Sequence, residues 1–265
     1  MEQQQTWRRE LPNYKQVAPE VEDLPFQARE AINVLRGNIQ LSGANLKVIA
    51  ITSAVANEGK SSIAFRLTKS LAGLKKRTLY LDCDIRNSVT MSRYGMSGQV
   101  QGLTEYLCGA AAMNDIVYRT PDKYMDVILT GAVAPNPSEL VSGKLFTLLL
   151  DEMRKRYDYI IVDTPPINPV IDGTMIAKRC DGTVMVIESG QTDRMQAVRA
   201  KRQLEYAGIK LLGAVLNKVG AAKKGYGYGY GYGYGYGYGY GYGYGYGEKH
   251  QKRSGKKSDK KEAKD

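Results

Sequence analysis

The sequence lacks any long uninterrupted run of apolar residues. No stretch approaches the ~20 residues that a transmembrane helix needs. The first fifteen residues also lack the apolar core of a secretory signal peptide. We therefore expect a soluble, cytoplasmic protein, whose connection with the inner face of the membrane, if it has one, comes through a partner or through its surface.

Cysteine is scarce as well. The three residues Cys83, Cys108 and Cys180 are far apart in the sequence. They form no close pair and none of the spacings typical of metal sites. An odd, scattered set is typical of a reducing cytosol and argues against a disulfide framework.

Positive charge is abundant but unevenly placed. The formal net charge is +11, and the segment from Lys223 to Asp265 carries +6 of it, with ten Lys/Arg and four Asp/Glu. A basic tail could bind nucleic acid, anionic lipid or an acidic protein. It could equally be a solvated segment without a partner. The remaining ~220 residues suffice for one α/β domain with a sizeable core.

Apolar segments of strand length alternate with helical patterns in this larger part. The predicted strands are residues 48–52, 78–82, 125–129, 159–163, 183–187 and 211–216. The predicted helices are residues 25–43, 61–74, 103–108, 144–155 and 193–207. Such alternation predicts an α/β fold with a mostly parallel sheet covered by helices on both faces. Ligands of such sheets bind at the carboxyl ends of the strands.

The tail contains an alternating Gly-Tyr tract from Gly225 to Gly247. Its eleven tyrosines are Tyr226, Tyr228, Tyr230, Tyr232, Tyr234, Tyr236, Tyr238, Tyr240, Tyr242, Tyr244 and Tyr246. The tract has no apolar face and no helical period, and its glycine content predicts disorder. We therefore divide the chain into an N-terminal arm (residues 1–21), a globular domain (22–220, beginning with a helix in 22–43) and a disordered tail (221–265).

The loop after the first predicted strand carries a phosphate-binding pattern. It ends in Gly59-Lys60-Ser61, which matches the end of a Walker A motif, although Ala54 stands where that motif begins with glycine. Backbone N–H groups at a helix N-terminus cradle phosphate. We expect an exposed Lys60 to reach the β- and γ-phosphates of ATP and the Ser61 hydroxyl to hold Mg²⁺. The alternative is a helix-capping serine beside a solvated lysine.

Two other predicted strands end in acidic residues. Asp163 follows an apolar strand, as a Walker B carboxylate does, and could support Mg²⁺. Asp82 and Asp84 lie two residues apart, so their side chains point the same way in an extended segment. One could serve the metal while the other accepts a proton from an attacking hydroxyl. Arg86 could contact phosphate or pair with an acid, and aspartate after a strand is also common in turns.

Together these segments resemble the bacterial tyrosine kinases of capsular and exopolysaccharide synthesis, a branch of the MinD/ParA-like P-loop ATPases. The resemblance is carried by SAVANEGKSS (53–62), LYLDCDIR (79–86), YDYIIVDTPP (157–166) and the terminal tyrosine cluster. The segments QGLTEYLCG (101–109), GAVAPNPSEL (131–140) and LLGAVLNKV (211–219) support it. It implies a P-loop NTPase fold and an ATP- and Mg²⁺-dependent protein-tyrosine autokinase.

The resemblance also implies a role for each matching position. The implied catalytic residues are Lys60, Asp82 and Asp84, and the implied Mg²⁺-binding residues are Ser61, Asp82 and Asp163. The implied nucleotide-binding residues are Ala56, Asn57, Glu58, Gly59, Lys60, Ser61, Ser62 and Asn217. The tail tyrosines are the phosphoacceptors, and a transmembrane adaptor and a protein-tyrosine phosphatase are the implied partners. Family members form rings through a Glu-x-x-Arg-x-x-Arg element, which is Glu30, Asn33 and Arg36 here, so the first arginine is missing.

Two other functions stay open. A MinD/ParA-like switch ATPase would carry lysine and Gly-Gly where this chain has Val55 and Ala56-Asn57. A nucleic-acid binder could use the basic, tyrosine-rich tail, because stacking aromatics and cations suit single strands. The P-loop domain disfavours the second alternative, so we expect no nucleic-acid partner.

Overall fold

The structure is a computed structural model that describes residues 15–96 and 100–220. Its strands are β1 (Lys15–Gln16), β2 (Val48–Ser53), β3 (Thr78–Asp82), β4 (Val117–Arg119), β5 (Met125–Ile128), β6 (Tyr159–Asp163), β7 (Gly182–Glu188) and β8 (Leu211–Asn217). Its helices are α1 (Phe26–Leu41), α2 (Lys60–Gly73), α3 (Thr90–Arg93), α4 (Leu103–Leu107), α5 (Pro137–Ser142), α6 (Lys144–Arg156), α7 (Asp172–Ala177) and α8 (Arg194–Tyr206). The predicted tail and its eleven tyrosines lie outside the described residues.

The strands form one sheet in the order β1-β4-β5-β3-β6-β2-β7-β8. Every pair is parallel except β4 with β5. The central strands are buried along nearly their whole length, which explains their continuous apolar sequences. This confirms the predicted mostly parallel sheet, while β1, within the predicted N-terminal arm, and the antiparallel β4 are additions.

Helices cover both faces of the sheet. Alternate residues of β2 show the division, since Val48 packs in the cluster that includes α6 and Ile49 packs in the cluster that includes α1 and α2. The carboxyl ends of β2, β3 and β6 adjoin one another, and the register pairs Asp163 with both Ile51 and Asp82. The phosphate-binding loop and the acidic strand ends therefore meet at one edge of the sheet. In the part of the chain that the structure describes, no helix is long and apolar enough to cross a membrane.

Candidate functional site

The loop between β2 and α2 depends on a glycine and an asparagine. Gly59 has a φ of 94°, in the left-handed region that favours glycine. A Cβ at this position would lie 2.1 Å from Nδ2 of Asn217, so any larger residue would displace that side chain. Asn217 Nδ2 donates a hydrogen bond of 2.9 Å to the carbonyl oxygen of Glu58. Asn217, at the end of β8, thus holds the loop directly. It is one of the residues predicted to bind the nucleotide.

The carboxylate of Glu58 shapes the same loop from inside. It is buried, and Oε2 accepts a hydrogen bond of 2.8 Å from the backbone N–H of Val55. Oε1 accepts a hydrogen bond from the Thr192 hydroxyl. The Glu58 side chain therefore points into the protein, and its place in the nucleotide-binding set rests on its backbone.

A cavity of about 550 Å³ opens beside this loop, within the size range of ligand sites. Its walls include most of the predicted nucleotide-binding residues, namely Ala56, Asn57, Gly59, Lys60, Ser61, Ser62 and Asn217. Asp84 and Arg86 line it as well. The cavity therefore brings together the Walker-type loop and the acidic segment that follows β3.

Lys60 is buried, which corrects the expectation of an exposed loop residue. It begins α2, only 8% of its surface is exposed, and its Nζ lies 2.8 Å from Asp84 Oδ2 and 4.0 Å from Asp163 Oδ1. Burial opposes its charge, but the carboxylates of Asp163 and Asp84 outweigh burial and raise the pKa of Lys60. The lysine is therefore a cation held at the base of the cavity.

Asp82 and Asp163 are fully buried and do not line the cavity. Asp82 accepts hydrogen bonds from the Ser88 hydroxyl at 2.6 Å and from the backbone N–H of Asp84 at 3.1 Å. Burial raises the pKa of Asp82. Burial also raises the pKa of Asp163 to about 7, although the charge of Lys60 opposes the shift.

The acidic residues fit a magnesium site of the kind that relies on phosphate oxygens. Asp163 Oδ1 is buried and has no hydrogen-bond partner among the described residues. The Ser61 hydroxyl lies 3.4 Å from Lys60 Nζ in the same group of side chains. The described residues contain no cluster of three His, Cys, Asp or Glu side chains suited to a metal ion. Mg²⁺ usually takes one or two carboxylates, waters and substrate phosphates, so this donor set suits it.

Arg86 pairs with an acid, as one of its two predicted roles requires, and it also lines the cavity, so the phosphate contact stays a prediction. Its Nε contacts Oδ2 of Asp172, a buried residue at the start of α7, and the Ser138 hydroxyl on α5 donates to Oδ1 of the same carboxylate. Asp172 was not predicted from the sequence, and Ser138 lies within the segment GAVAPNPSEL (131–140). We call these three residues the Arg86 clamp, because they tie the segment after β3 to α5 and α7.

The predicted assembly residues lie on α1, away from the cavity. Glu30 is exposed and accepts a hydrogen bond of 2.9 Å from Asn33. Arg36 donates to the backbone oxygen of Ser70 at 3.1 Å and to its hydroxyl at 2.7 Å. Arg36 therefore joins α1 to α2 within one chain.

Comparison with known proteins decides the family. The AAA domain model matches residues 46–193. Tyrosine-protein kinase CpsD of Streptococcus agalactiae is 41% identical over 201 residues, which cover 76% of this chain and 88% of that protein. The chain belongs to the bacterial tyrosine-protein kinases. This tyrosine kinase is also 37% identical to tyrosine-protein kinase YwqD of Bacillus subtilis, over 75% of the chain and 85% of the relative.

Solved structures agree with this assignment. The kinase domain of the Escherichia coli tyrosine kinase ETK matches with a TM-score of 0.70 and 27% identity, over 85% of this chain and 91% of that one. MinD of Pyrococcus horikoshii, solved with Mg-ADP, matches with a TM-score of 0.58 and 20% identity, over 67% and 72%. The second likeness concerns the fold, and it confirms the predicted P-loop NTPase architecture of this tyrosine kinase.

Proposed function

We propose that the kinase transfers the γ-phosphoryl group of Mg·ATP to tyrosines of its own C-terminal tract. The observation that carries the proposal is the placement of Asp84 beside Lys60 in the cavity wall, with 2.8 Å between Oδ2 and Nζ. A carboxylate next to the phosphate-binding lysine can accept the proton of an incoming hydroxyl.

The residues divide the work as follows. Lys60 and the loop from Ala56 to Ser62 hold the phosphates, with Asn217 fixing the loop. Ser61 and Asp163 hold Mg²⁺, which when bound neutralises charge on the transferring phosphoryl group. Asp82 supports the metal side of the site through its position next to Asp163, and Asp84 orients the acceptor hydroxyl and takes its proton.

The tyrosines from Tyr226 to Tyr246 are the proposed acceptors. A tyrosine hydroxyl has a pKa near ~10, so it is a poor nucleophile until a base and Mg·ATP are positioned beside it. Tethering compensates, because a linked acceptor has an effective concentration on the order of mM. Eleven equivalent tyrosines raise the chance that one of them occupies the site of a neighbouring subunit.

Self-association through α1 supports transfer between subunits. Phe26, Val34 and Leu41 are 74%, 60% and 87% exposed, and helical spacing places them on the side of α1 that carries Glu30. A large apolar surface on a helix marks an interaction site. We expect this face to join copies of the chain into a ring, with Glu30 and Arg36 contributing.

The proposed setting is the inner face of the membrane, in the control of capsular or exopolysaccharide synthesis. The resemblance to the family supports a transmembrane adaptor that recruits and activates the cytoplasmic kinase. A protein-tyrosine phosphatase would reverse the modification.

The alternative is a switch ATPase of the MinD/ParA type without kinase activity. The fold that this chain shares with MinD supports this alternative. One experiment separates the two functions. The full chain is incubated with Mg·ATP, and phosphate release and phosphotyrosine are measured in parallel. The proposal expects phosphotyrosine that requires Mg²⁺. Phosphate release without phosphotyrosine would support the switch ATPase instead.

A further inference from the structure

A buried tyrosine contacts the Walker B carboxylate. Tyr80, in β3, is fully buried, and its hydroxyl donates a hydrogen bond of 3.0 Å to Oδ2 of Asp163 at the end of β6. The same hydroxyl lies 3.0 Å from Oγ1 of Thr90. Strand register produces the contact, because Asp163 lies opposite Asp82, which is on the same face as Tyr80 and two residues further along β3.

Packing alone does not require a hydroxyl at this position. The ring of Tyr80 packs edge to face with Phe65, with 5.1 Å between the ring centroids, inside a largely apolar cluster. Phenylalanine would fill the same volume. A phenol has an ordinary pKa near ~10, so the Tyr80 hydroxyl carries its proton at neutral pH and donates it to Asp163.

The two oxygens of Asp163 consequently have different surroundings. Oδ2 is held by Tyr80, whereas Oδ1 has no hydrogen bond among the described residues and lies 4.0 Å from Lys60 Nζ. A carboxylate with one oxygen fixed cannot rotate freely about its terminal bond. The hydrogen bond therefore leaves Oδ1 as the oxygen available on the side of Lys60.

We propose that Tyr80 is a positioning residue that orients the carboxylate of Asp163 for Mg²⁺ or for a water bound to Mg²⁺. The inference rests on the proposed role of Asp163 in holding the metal. Replacing a residue that hydrogen-bonds to a metal ligand typically lowers the affinity for the metal on the order of 10- to 100-fold. Removing the Tyr80 hydroxyl should therefore weaken Mg²⁺ binding without weakening nucleotide binding in the absence of the metal.

The chain offers a matched control for this change. The hydroxyl of Tyr157 donates a hydrogen bond of 2.9 Å to Oδ2 of Asp126, and both residues are fully buried. Tyr157 comes just before β6, so this pair lies toward the amino ends of the strands, whereas Asp163 lies at a carboxyl end. Tyr157→Phe and Tyr80→Phe each remove one buried Tyr–Asp hydrogen bond, but only Tyr80 contacts Asp163.

The test measures how the binding of a fluorescent ADP analogue to the full chain depends on Mg²⁺ concentration. Tyr80→Phe should raise the Mg²⁺ midpoint on the order of tenfold and leave binding in EDTA unchanged. Tyr157→Phe should keep the wild-type Mg²⁺ midpoint. It should lower the melting temperature of the protein about as much as Tyr80→Phe does. Asp163→Asn should raise the midpoint, and adding Tyr80→Phe to Asp163→Asn should cause no further shift, because Tyr80 acts through Asp163.

Each contrary result has a separate meaning. A wild-type midpoint in Tyr80→Phe, with a raised one in Asp163→Asn, would overturn the role of Tyr80 and leave that of Asp163 intact. An equal shift in Tyr157→Phe would reduce the effect to general destabilisation and also overturn the inference. An unchanged midpoint in Asp163→Asn would contradict the proposed metal role of Asp163 together with the inference built on it.

Discussion

Lys60 is the residue on which the proposed phosphate site most depends. Lys60→Met removes the cation at the base of the cavity and leaves Asp84 without its partner. We expect ATP-dependent phosphotyrosine to fall by roughly 100-fold or more, as it does when a charge-stabilising donor is lost from an active site. Quantitative phosphotyrosine blotting measures the effect. Lys69→Met, an exposed change on the same helix, is the control, and wild-type activity in Lys60→Met would refute the site assignment.

Asp163 predicts a pH dependence of stability for the nucleotide-free protein. Its folded-state pKa is raised from 3.8 to about 7, so the folded state binds this proton more tightly than the unfolded state does. Its contribution is therefore fully present below the unfolded pKa and is lost as the pH rises through about 7. Between pH 5 and 8, the free energy of unfolding should fall with rising pH more steeply in wild type than in Asp163→Asn. Urea denaturation measures the slopes, and equal slopes would contradict the shift.

Single residues also show what the sequence could predict about the site. The Walker-type motif predicted Lys60 and Ser61 as site residues because loop, lysine and hydroxyl are contiguous in the sequence, and both line the cavity. The buried state of Lys60 depends on Asp84 and Asp163, which are distant in the sequence and come close to Lys60 only when the sheet assembles. The predicted exposure of Lys60 was therefore wrong. Asp172 was missed for the same reason, since nothing near it in the sequence indicates that Arg86 is its partner.

At the scale of elements, the Arg86 clamp joins the segment after β3 to α5 and α7. Arg86→Ala leaves the buried carboxylate of Asp172 without its cation. We expect the free energy of unfolding to fall by about 1–3 kcal/mol, the usual consequence of an unsatisfied buried acceptor. Adding Asp172→Asn should restore part of the loss, because it removes the unpaired charge.

Chemical denaturation of the single and double variants checks this prediction. Lys155→Ala breaks an exposed ion pair with Glu152 and serves as the control. Its effect should stay within about 1 kcal/mol. Additive losses in the double variant would show that Arg86 and Asp172 do not act as a unit.

The long elements were predictable, whereas the short ones were not. Helices such as α1 and α6 show an amphipathic period over several turns, and β2 and β6 are continuous apolar runs, so local patterns suffice. β1 and β4 have two and three residues, too few for any period to appear. They exist because neighbouring strands offer hydrogen-bond partners, which is a property of the assembled sheet.

At the scale of the whole molecule, the exposed face of α1 predicts self-association. Val34→Glu places a charge on that face without touching the core, since Val34 is 60% exposed. We expect the unphosphorylated variant to be monomeric where wild type is oligomeric, as measured by light scattering. Val219→Glu, at a similarly exposed site after β8, should keep the oligomer. Arg36→Ala should weaken assembly less, because Arg36 is held by Ser70 in its own chain.

The charge of the tail predicts how the proposed autophosphorylation would end. Each phosphotyrosine adds roughly −1.5 to −2 charges at neutral pH, so about three or four phosphates neutralise a tail of +6. Further phosphates make it acidic and repel it from the carboxylates of the site and from other tails. We expect the assembly to dissociate after several sites are modified, as followed by light scattering during incubation with Mg·ATP. An eleven-fold Tyr→Phe variant that dissociated equally would contradict this.

The most direct test of autophosphorylation on the tail is mass spectrometry of the intact chain after incubation with Mg·ATP, followed by localisation of the phosphates. We expect several phosphates distributed over Tyr226 to Tyr246, little change when any one of these tyrosines is replaced by phenylalanine, and none in Lys60→Met. Phosphates confined to residues 1–220, with the Gly-Tyr tract unmodified, would contradict the account.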